Sequence, residues 1–468
     1  MITRRLLRLA AIVGFLSGCT VGPNYRRPVT TTPPQFRAAI LPASATSLAD
    51  QKWFEIFKDE QLQGLIRTAL ENNYDVREAA ARVEAAQAAL GITRSNQFPT
   101  IAASANVTTQ RTARNGSFPL PVGFEQNRTF GTVSAGLLSY EVDVWGRLRR
   151  ATEASRADLL ATEENRRTVV MTLVSDVATA YFNLLELDLE LDIAKRALAT
   201  RQDSLRLIRI RQSRGLATLL DVRQAEQLVQ VAAETIPDAE RRIEQTENQI
   251  SLLTGAYPGP ITRNRTLTQQ ELPSAVPAGL PSSLLERRPD IGAAEENLVA
   301  ANATIGVARA AYFPEISLTG LFGFQSNQLS SLFIGPAKVW QFTPQVTQPV
   351  FTAGRLKSNV RLARAQQQIA LVQYQRSIQT AFREVSDALI QYQRVRELDE
   401  DQQALVVTLQ DRSRLSYRKY QGGVDTLLSA LDADRDLFNA ELLLAQIKRD
   451  ELVSVVQLYR ALGGGWQQ

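Results

Sequence analysis

The stretch Tyr417–Arg435, YRKYQGGVDTLLSALDADR, decides the fold of this chain. Long runs with helical hydrophobic spacing lead into it and out of it, and Gly422-Gly423 interrupts them. Two adjacent glycines are costly inside a helix, but they supply the positive φ angle that a chain reversal needs. The stretch is therefore predicted to form the tip of a long helical hairpin.

A second stretch, SRGLATLLDVR at Ser213–Arg223, has the same character. An offset of 208 residues aligns three pairs of glycines: Gly146 with Gly354, Gly215 with Gly423, and Gly255 with Gly463. Upstream, an offset of 215 residues aligns Phe98-Pro99 with Phe313-Pro314. Matches at a constant offset predict one structural unit that occurs twice, with a few residues gained in a loop of the first copy.

The N-terminus has the features of a secretion signal over residues 1–18, with three arginines before a short apolar core. The next residues complete Leu16-Ser17-Gly18-Cys19, which resembles a bacterial lipobox. The alternative is an ordinary signal peptide followed by a buried cysteine. Because the only cysteine of the chain falls at this position, we predict a covalent lipid on Cys19, which anchors the chain to one leaflet without spanning it. Thr20 in place of an aspartate resembles lipoproteins sent to the outer membrane.

Composition argues against catalysis and against nucleic-acid binding. The 468 residues include no histidine, which removes the commonest general base and metal ligand. The sequence contains no nucleophile elbow and no metal-ligand constellation, so we predict a protein that is not an enzyme and holds no metal or other cofactor. Loss of the arginines in the signal leaves 50 Lys and Arg against 48 Asp and Glu, and this balance provides no electrostatic case for nucleic acid.

The chain is predicted to consist of a lipidated extended leader (19–58), a first repeat (59–262), a linker (263–281) and a second repeat (282–468). The leader either lies on the body or hangs free. The predicted strands are about 100–110, 128–145, 315–325 and 339–350. The predicted helices are about 59–96, 147–213, 218–254, 282–311, 355–421 and 424–462, with a kink at Pro237.

The predicted strands carry apolar residues on one face and polar residues on the other. In 339–350, Trp340, Phe342 and Val346 alternate with Gln341, Thr343 and Gln345. Strands of about 10 residues with this alternation suit a transmembrane barrel around a wet lumen. A half-buried soluble sheet has the same pattern, so the strands alone leave both structures open.

The helical run between Gly146 and Gly215 is too long for a globular domain, at about 100 Å for a rise of 1.5 Å per residue. Its apolar residues follow a heptad seam: Val170, Leu173, Val177, Ala180, Leu184, Leu187, Leu191, Ala194 and Leu198. A second stripe, of Phe182, Leu185, Leu189 and Ile193, runs beside this seam. Two stripes suit a helix with a neighbour on each side, as in a ring of helices.

Four strands cannot close a barrel. An open edge in lipid leaves backbone groups unpaired, and each of them costs several kcal/mol. Copies of the chain must therefore assemble, most simply into a symmetric ring, so that three copies provide twelve strands. The helices then close into a tube that is coaxial with the barrel. The predicted fold class is an α+β membrane protein.

Six blocks of the sequence resemble the outer membrane factors of tripartite export systems, the TolC-like family, in its NodT/OprM-type lipoprotein branch. The blocks are GCTVGPNYRRP (18–28), FPTIAASA (98–105), SYEVDVWGRLRR (139–150), RPDIGAAEENLVAANATIGVARAAYFPEISLTG (288–320), FTAGR (351–355) and GGVDTLLSALDADRDLFNAE (422–441). Members of this family are trimers with a twelve-stranded barrel in the outer membrane and a long α-helical barrel in the periplasm. The resemblance covers the chain from Cys19 to about Gly463.

The resemblance implies an outer-membrane exit duct that passively conducts small molecules, such as drugs and toxic compounds, in multidrug efflux. The implied partners are two further copies of the chain, a periplasmic adaptor protein and an inner-membrane transporter, with a proton-driven pump of the RND type as the expected one. An exit duct for type I protein secretion is the alternative of the same architecture. A lipid-anchored coiled-coil tether without a pore is a more distant alternative.

The resemblance also implies a periplasmic gate. Related members narrow the pore with a leucine, an aspartate four residues on and an arginine three further, and this pattern falls on Leu428, Asp432 and Arg435. A leucine ring dewets a narrow pore, and an acidic ring favours cations. By spacing alone, Asp432 and Arg435 form an ordinary i,i+3 surface pair. The chain departs from many relatives at Leu427, where they carry an aromatic residue, and at Asp434, which replaces a frequent glutamine and adds an acid near the pore.

Adaptor docking is expected at the tips of the two helical hairpins. Small residues at the tips permit close approach of a partner helix, although they also serve as turn residues. The expected docking residues are Arg214, Gly215, Leu216, Ala217 and Thr218 in the first tip, with Gly422, Gly423, Val424 and Asp425 in the second.

Overall fold

The computed structural model describes residues 20–30, 32–38, 47–113, 121, 123, 125–271 and 276–466. The predicted signal peptide and Cys19 lie outside these described residues. The chain divides into two compact units. The first unit consists of 1–29, 83–162 and 294–374, and the second consists of 30–82, 163–293 and 375–468.

The described residues form helices and one sheet, in an order that is similar in the two halves of the chain. The helices are α1 (Trp53–Ile56), α2 (Glu60–Asn72), α3 (Tyr74–Ser95), α4 (Arg147–Ser213), α5 (Leu219–Leu253), α6 (Leu284–Arg287), α7 (Pro289–Ala310), α8 (Arg355–Gln421) and α9 (Leu427–Ala461). The strands are β1 (Ile101–Arg111), β2 (Asn127–Glu141), β3 (Glu315–Ser326) and β4 (Lys338–Thr347). Helices α4 and α8 each have 67 residues, and α5 and α9 each have 35.

The first unit contains a four-stranded antiparallel sheet in the order β1-β2-β3-β4. The central pairing joins β2 to β3, which lie far apart in the sequence. Phe322 of β3 stands opposite Ala135 on one side and Trp340 on the other. This register places apolar residues of neighbouring strands on the same face of the sheet, because facing residues in a pleated sheet point to the same side.

Residues 20–29 of the leader lie on the first unit rather than hanging free. The backbone N–H of Val21 donates a hydrogen bond to the carbonyl of Trp145 at 3.0 Å. Gly22, at a φ of 110°, packs so closely that a Cβ there would lie 2.5 Å from the Cα of Gly306. Arg27 donates from Nε to Glu295 Oε1 at 2.7 Å. The leader is thus held on α7 by backbone fit and by charge.

The second unit has an apolar core between its long helices. The seam residues Val177 and Leu184 are fully buried, as is Tyr181 between them. Near the hairpin tips one apolar cluster draws on all four long helices: Leu205, Ile208, Val222, Ala225, Leu228, Val229, Tyr420, Leu427, Ala430 and Leu431. Helix α4 is apolar enough to cross a membrane by length and composition, but 67% of its most apolar window is buried in the protein. That burial is typical of a core helix.

Two predicted helices are each divided in the structure. The helix predicted over 59–96 breaks at Asn73, whose side chain accepts hydrogen bonds from the N–H groups of Asp75 and Val76 and so begins a new helix. The helix predicted over 282–311 breaks at Arg288, which has an extended backbone because Pro289 follows it. Pro289 then occupies the first position of α7, where a missing N–H costs little.

Other elements begin or end at residues that differ from the predicted ones, in two cases because of a helix N-cap. Strand β2 ends at Glu141 instead of continuing to 145, since Asp143 turns its carboxylate onto the N–H groups of Leu148 and Arg149. The last long helix begins at Leu427 rather than 424, because Thr426 is its N-cap. Strand β4 ends at Thr347 rather than 350. Helix α5 contains Pro237 in its interior, and the kink predicted there stays a prediction.

Candidate functional site

The sheet has one apolar face, and large side chains on it are exposed. The exposed fraction is 74% for Ile101, 77% for Trp340 and 59% for Phe342. Soluble proteins rarely leave a continuous apolar surface in water, so this face requires lipid or a protein partner. The half-buried soluble sheet considered from the sequence would cover this face, and nothing in the described part of the chain does so.

The opposite face of the sheet is polar but almost uncharged between its ends. The Ser104 and Ser134 hydroxyls lie 3.1 Å apart, and the Thr319 hydroxyl donates to the Thr343 carbonyl at 3.2 Å. Gly323 faces Ser134, and a Cβ there would lie 2.7 Å from the Ser134 Cβ. This face carries the small hydroxyl and amide groups that suit the wall of a wet channel.

The sheet has two free edges. The outer edges of β1 and β4 pair with no other strand among the described residues. Both strands are exposed along most of their length. A flat edge of this kind is a template for another strand.

The two hairpin tips share one backbone conformation. Gly215 and Gly423 have φ angles of 75° and 74°. The N–H of Leu216 reaches back to the Arg211 carbonyl at 2.8 Å, and the N–H of Val424 reaches the Lys419 carbonyl at 3.0 Å. This is the Schellman pattern that ends a helix and satisfies its last carbonyls. Apart from the adjacent residues, no atom of the described part of the chain lies within 4 Å of a Cβ built on Gly215 or Gly423, so glycine is needed for the φ angle and not for space.

The tip residues expected to dock an adaptor form two short exposed loops. Leu216 is 66% exposed and Val424 is 79% exposed. Thr218 caps the start of α5, where its side chain accepts from the Asp221 N–H. Asp425 accepts from the Thr426 backbone N–H and the Ser429 hydroxyl, and these bonds lower the pKa of its carboxyl. The second tip therefore keeps a negative charge at neutral pH.

The three predicted gate residues share one exposed face of α9. Leu428 is 50% exposed, and the side chains of Asp432 and Arg435 are 38% and 53% exposed. Arg435 Nη1 lies 3.1 Å from Asp432 Oδ1. Within one chain this is an exposed i,i+3 ion pair, which stabilises a helix by no more than about 1 kcal/mol. The three side chains remain available to a neighbouring subunit.

Asp434, predicted from the sequence to add an acid near the pore, does not share the exposed face of the gate residues. Its carboxylate lies 2.7 Å from Nε of Arg201, and its side chain is only 14% exposed. Leu427 is 4% exposed and belongs to the apolar cluster at the tips, so it lies in the core of the hairpins. Sequence reasoning missed Arg201 because its partner is more than 200 residues away. The run of arginines before the first tip was the only available signal.

These features together indicate a subunit of a membrane channel: a sheet with one lipid-suited face and one polar face, in one chain with long helical hairpins. The sequence comparisons agree. The profile of the outer membrane efflux protein family matches residues 65–256 and 280–464. The toluene efflux pump outer membrane protein TtgC of Pseudomonas putida is 38% identical over 471 residues, which cover 100% of this chain and 96% of the relative. The cation efflux system protein CusC of Escherichia coli is 36% identical over 457 residues, which cover 97% of each chain.

The solved structures give the same result. The open state of the Neisseria gonorrhoeae MtrE outer membrane channel superposes with a TM-score of 0.86 at 33% identity, over 96% of this chain and 99% of that one. The outer-membrane channel OprN superposes with a TM-score of 0.90 at 29% identity, over 96% and 100%. This chain belongs to the outer membrane efflux protein family. The resemblance to the TolC-like outer membrane factors is confirmed, and the protein is an exit duct for efflux. Its relatives are channel proteins rather than enzymes.

Proposed function

We propose that three copies of this chain form one continuous duct, in which twelve strands close a barrel in the outer membrane and the long helices close a tunnel in the periplasm. The single observation that carries this proposal is the open sheet of the first unit, with its two free edges and its exposed apolar face. In hydrocarbon each unpaired backbone group of β1 and β4 would cost several kcal/mol. Pairing β1 of one subunit with β4 of the next removes both edges.

Reconstitution tests the proposal. The purified, lipid-reconstituted protein is expected to migrate as a heat-resistant trimer and to conduct ions across a planar bilayer. Native mass spectrometry in detergent provides an independent count of subunits. A monomer in lipid, or a trimer that passes no ions even when Leu428 and Asp432 are truncated to alanine, would contradict the duct.

The gate is proposed at Leu428, Asp432 and Arg435. Its support is geometric, since the three side chains follow i, i+4, i+7 spacing on one exposed face of α9. Three copies of Leu428 form an apolar ring, and three copies of Asp432 form an acidic ring that favours cations. Asp–Arg pairs between subunits hold the closed state, and their exposure keeps each of them weak enough to break.

The lipid anchor is proposed on Cys19, which places the protein in the bacterial outer membrane. The leader supports this position. Thr20, the next residue, contacts Gly146 closely enough that a Cβ there would lie 2.7 Å from the Thr20 methyl. Gly146 directly precedes α4 and follows the end of β2, so Thr20 lies near one end of the sheet. Radiolabelled palmitate incorporation that disappears in Cys19→Ala would test the site.

The partners are proposed to be a periplasmic adaptor that docks on the two tips and a proton-driven inner-membrane pump of the RND type. The exposed small residues of both tips support a partner helix at close range. Small molecules are the proposed cargo, because TtgC is named for toluene efflux and CusC for cation efflux. Co-purification with an adaptor and a proton-driven pump tests this assignment. Co-purification with an ATP-driven exporter of a large secreted protein would favour the type I alternative.

A further inference from the structure

Among the described residues of the second unit, the ion pair between Arg201 and Asp434 is almost fully buried and joins the two helical hairpins. Arg201 of α4 places Nε 2.7 Å from Oδ2 of Asp434 in α9. The two side chains are 2% and 14% exposed. A charge removed from water requires a partner and further hydrogen bonds, so a pair at this depth is held in one geometry.

Arg201 is fixed on two further sides. Its Nη1 donates to the Leu228 carbonyl of α5 at 3.0 Å, and its guanidinium lies over the Phe438 ring of α9 at 4.5 Å. Phe438 stands one turn after Asp434 on the same helix and is 4% exposed. Arg201 therefore holds two successive turns of α9 against the first hairpin, through an ion pair and a cation–π contact.

The equivalent position of the first hairpin shows that this arrangement is specific to the second. Glu226 lies 208 residues before Asp434 and is also acidic. Its carboxylate lies 2.9 Å from Arg209 and 2.6 Å from Arg223, both in its own hairpin. Glu226 links α4 to α5 within one hairpin near the surface, whereas Asp434 reaches across to the other hairpin in the core.

The position of Asp434 on α9 relates it to the gate. At 3.6 residues per turn, Asp434 points roughly 200° around the helix from Asp432. The face of Asp434 also carries the buried residues Leu427, Leu431 and Phe438. Leu428, Asp432 and Arg435 occupy the opposite, exposed face. Any rotation of α9 that moves Asp434 also moves the gate residues.

We propose that Arg201 is a positioning residue of the gate, whose pairing with Asp434 sets the rotation of α9 so that Leu428, Asp432 and Arg435 face the pore. This inference rests on the proposed gate. An ion pair with fixed hydrogen bonds is satisfied at one rotation only, and buried polar groups are best attested in this role of setting register.

The test compares four variants in reconstituted trimers and in cells. Asp434→Asn and Arg201→Gln are each expected to change single-channel conductance and to raise the leak of a large excluded antibiotic. The expected increase is about fivefold or more, because about fivefold is the smallest effect typical of energetic coupling between two sites. The double variant is expected to leak no more than either single variant, because both act through one contact. Asp434→Glu keeps the charge and is expected to restore most of the closed state.

Glu226→Gln is the matched control, since it removes the corresponding acid without touching the second hairpin. It is expected to conduct and leak as the wild type does. Leak in Glu226→Gln equal to that in Asp434→Asn would overturn the proposal, as would wild-type conductance in both Asp434→Asn and Arg201→Gln trimers.

A second double variant addresses the case in which the substitutions above prevent the trimer from assembling. Arg201→Met with Asp434→Leu removes both charges and packs apolar side chains in their place, a replacement that commonly preserves stability. It is expected to form heat-resistant trimers that leak, and a tight gate in this variant would overturn the proposal. The wild type is the control that separates the two proposals. If the wild-type protein passes no ions, the proposed duct is wrong. If it conducts and the variants leak no more than it does, only the proposed role of Arg201 is wrong.

Discussion

At the scale of the residue, an exposed ion pair and a buried ion pair on α9 have different proposed roles. Asp432 and Arg435 lie at the surface of one subunit, where a pair contributes little and can exchange partners. Arg201 and Asp434 lie in the core, where leaving either charge unpaired is costly. The two carboxylates are two positions apart on one helix, yet their surroundings assign them different roles.

Replacing Asp432 with alanine is expected to raise leak of large antibiotics without lowering trimer stability. The substitution removes the acidic ring and its ion pairs with Arg435, while the exposed pair within one chain contributes at most about 1 kcal/mol. Antibiotic susceptibility and single-channel conductance measure the first effect, and thermal melting measures the second. Asp411→Ala is the control, since Asp411 forms an even more exposed i,i+3 pair with Arg414 on α8. An unchanged conductance in Asp432→Ala would count against the gate.

We expect Glu186 of α4 to make the stability of the protein depend on pH. Its side chain is 1% exposed, and burial raises the pKa of its carboxyl to about 7, although Arg449 at 3.7 Å opposes the shift. Between the ordinary pKa of about 4.3 and 7 the folded state retains a proton that the unfolded chain loses. Stability therefore falls as pH rises through this range, because the folded state binds more protons.

Glu186→Gln is expected to weaken this pH dependence, because glutamine does not titrate. Melting temperatures at pH 5 and pH 7.5 give the measurement, with a smaller difference expected in the variant than in the wild type. Glu240→Gln is the control, since Glu240 lies in the partly exposed pair with Lys195. If Glu186→Gln loses as much stability as the wild type over this interval, Glu186 is not the source of the dependence.

At the scale of the element, the hairpin tips depend on one glycine each. Gly423 has a φ of 74°, whereas its neighbour Gly422 has no positive φ and meets only ordinary contacts, the nearest at 3.4 Å. The sequence places both glycines in the tip without distinguishing them. The structure distinguishes them, because only Gly423 occupies the left-handed position that closes the Schellman pattern.

Gly423→Ala is expected to destabilise the second tip by about 1–2 kcal/mol, the cost of an L-residue in the left-handed region. Amide hydrogen exchange of the tip should accelerate, and efflux through the assembled pump should fall because the docking loop loses its fixed shape. Gly422→Ala is expected to leave both unchanged. Equal behaviour of the two variants would show that tip conformation does not control docking.

At the scale of the whole molecule, the faces of the sheet distinguish a membrane barrel from a soluble sheet. Phe342 and Gln341 are neighbours on β4, both are exposed, and they point to opposite faces. A soluble sheet in which both positions are exposed would accept a charge at either. A barrel accepts it only on the side of the lumen.

Phe342→Arg is therefore expected to reduce heat-resistant trimers in the membrane, since a cation on the lipid face costs about 2–4 kcal/mol near the bilayer midplane. Gln341→Arg is expected to assemble normally and to change ion selectivity, because the new charge faces the lumen. Trimer yield on unheated gels and reversal potentials in bilayers give the two measurements. Normal assembly of Phe342→Arg would place that face away from lipid.

The local features of this protein could be predicted from its amino-acid sequence. Paired glycines located the hairpin tips, two-residue alternation located the faces of the strands, and the heptad seam identified core residues such as Val177 and Leu184, because each of these signals depends on neighbours along the chain. Three features are visible only in the folded protein: β2 pairs with β3, the leader packs against Gly306, and Asp434 is buried against Arg201. Those contacts join residues far apart in sequence, and no local period records which distant side chain will meet which.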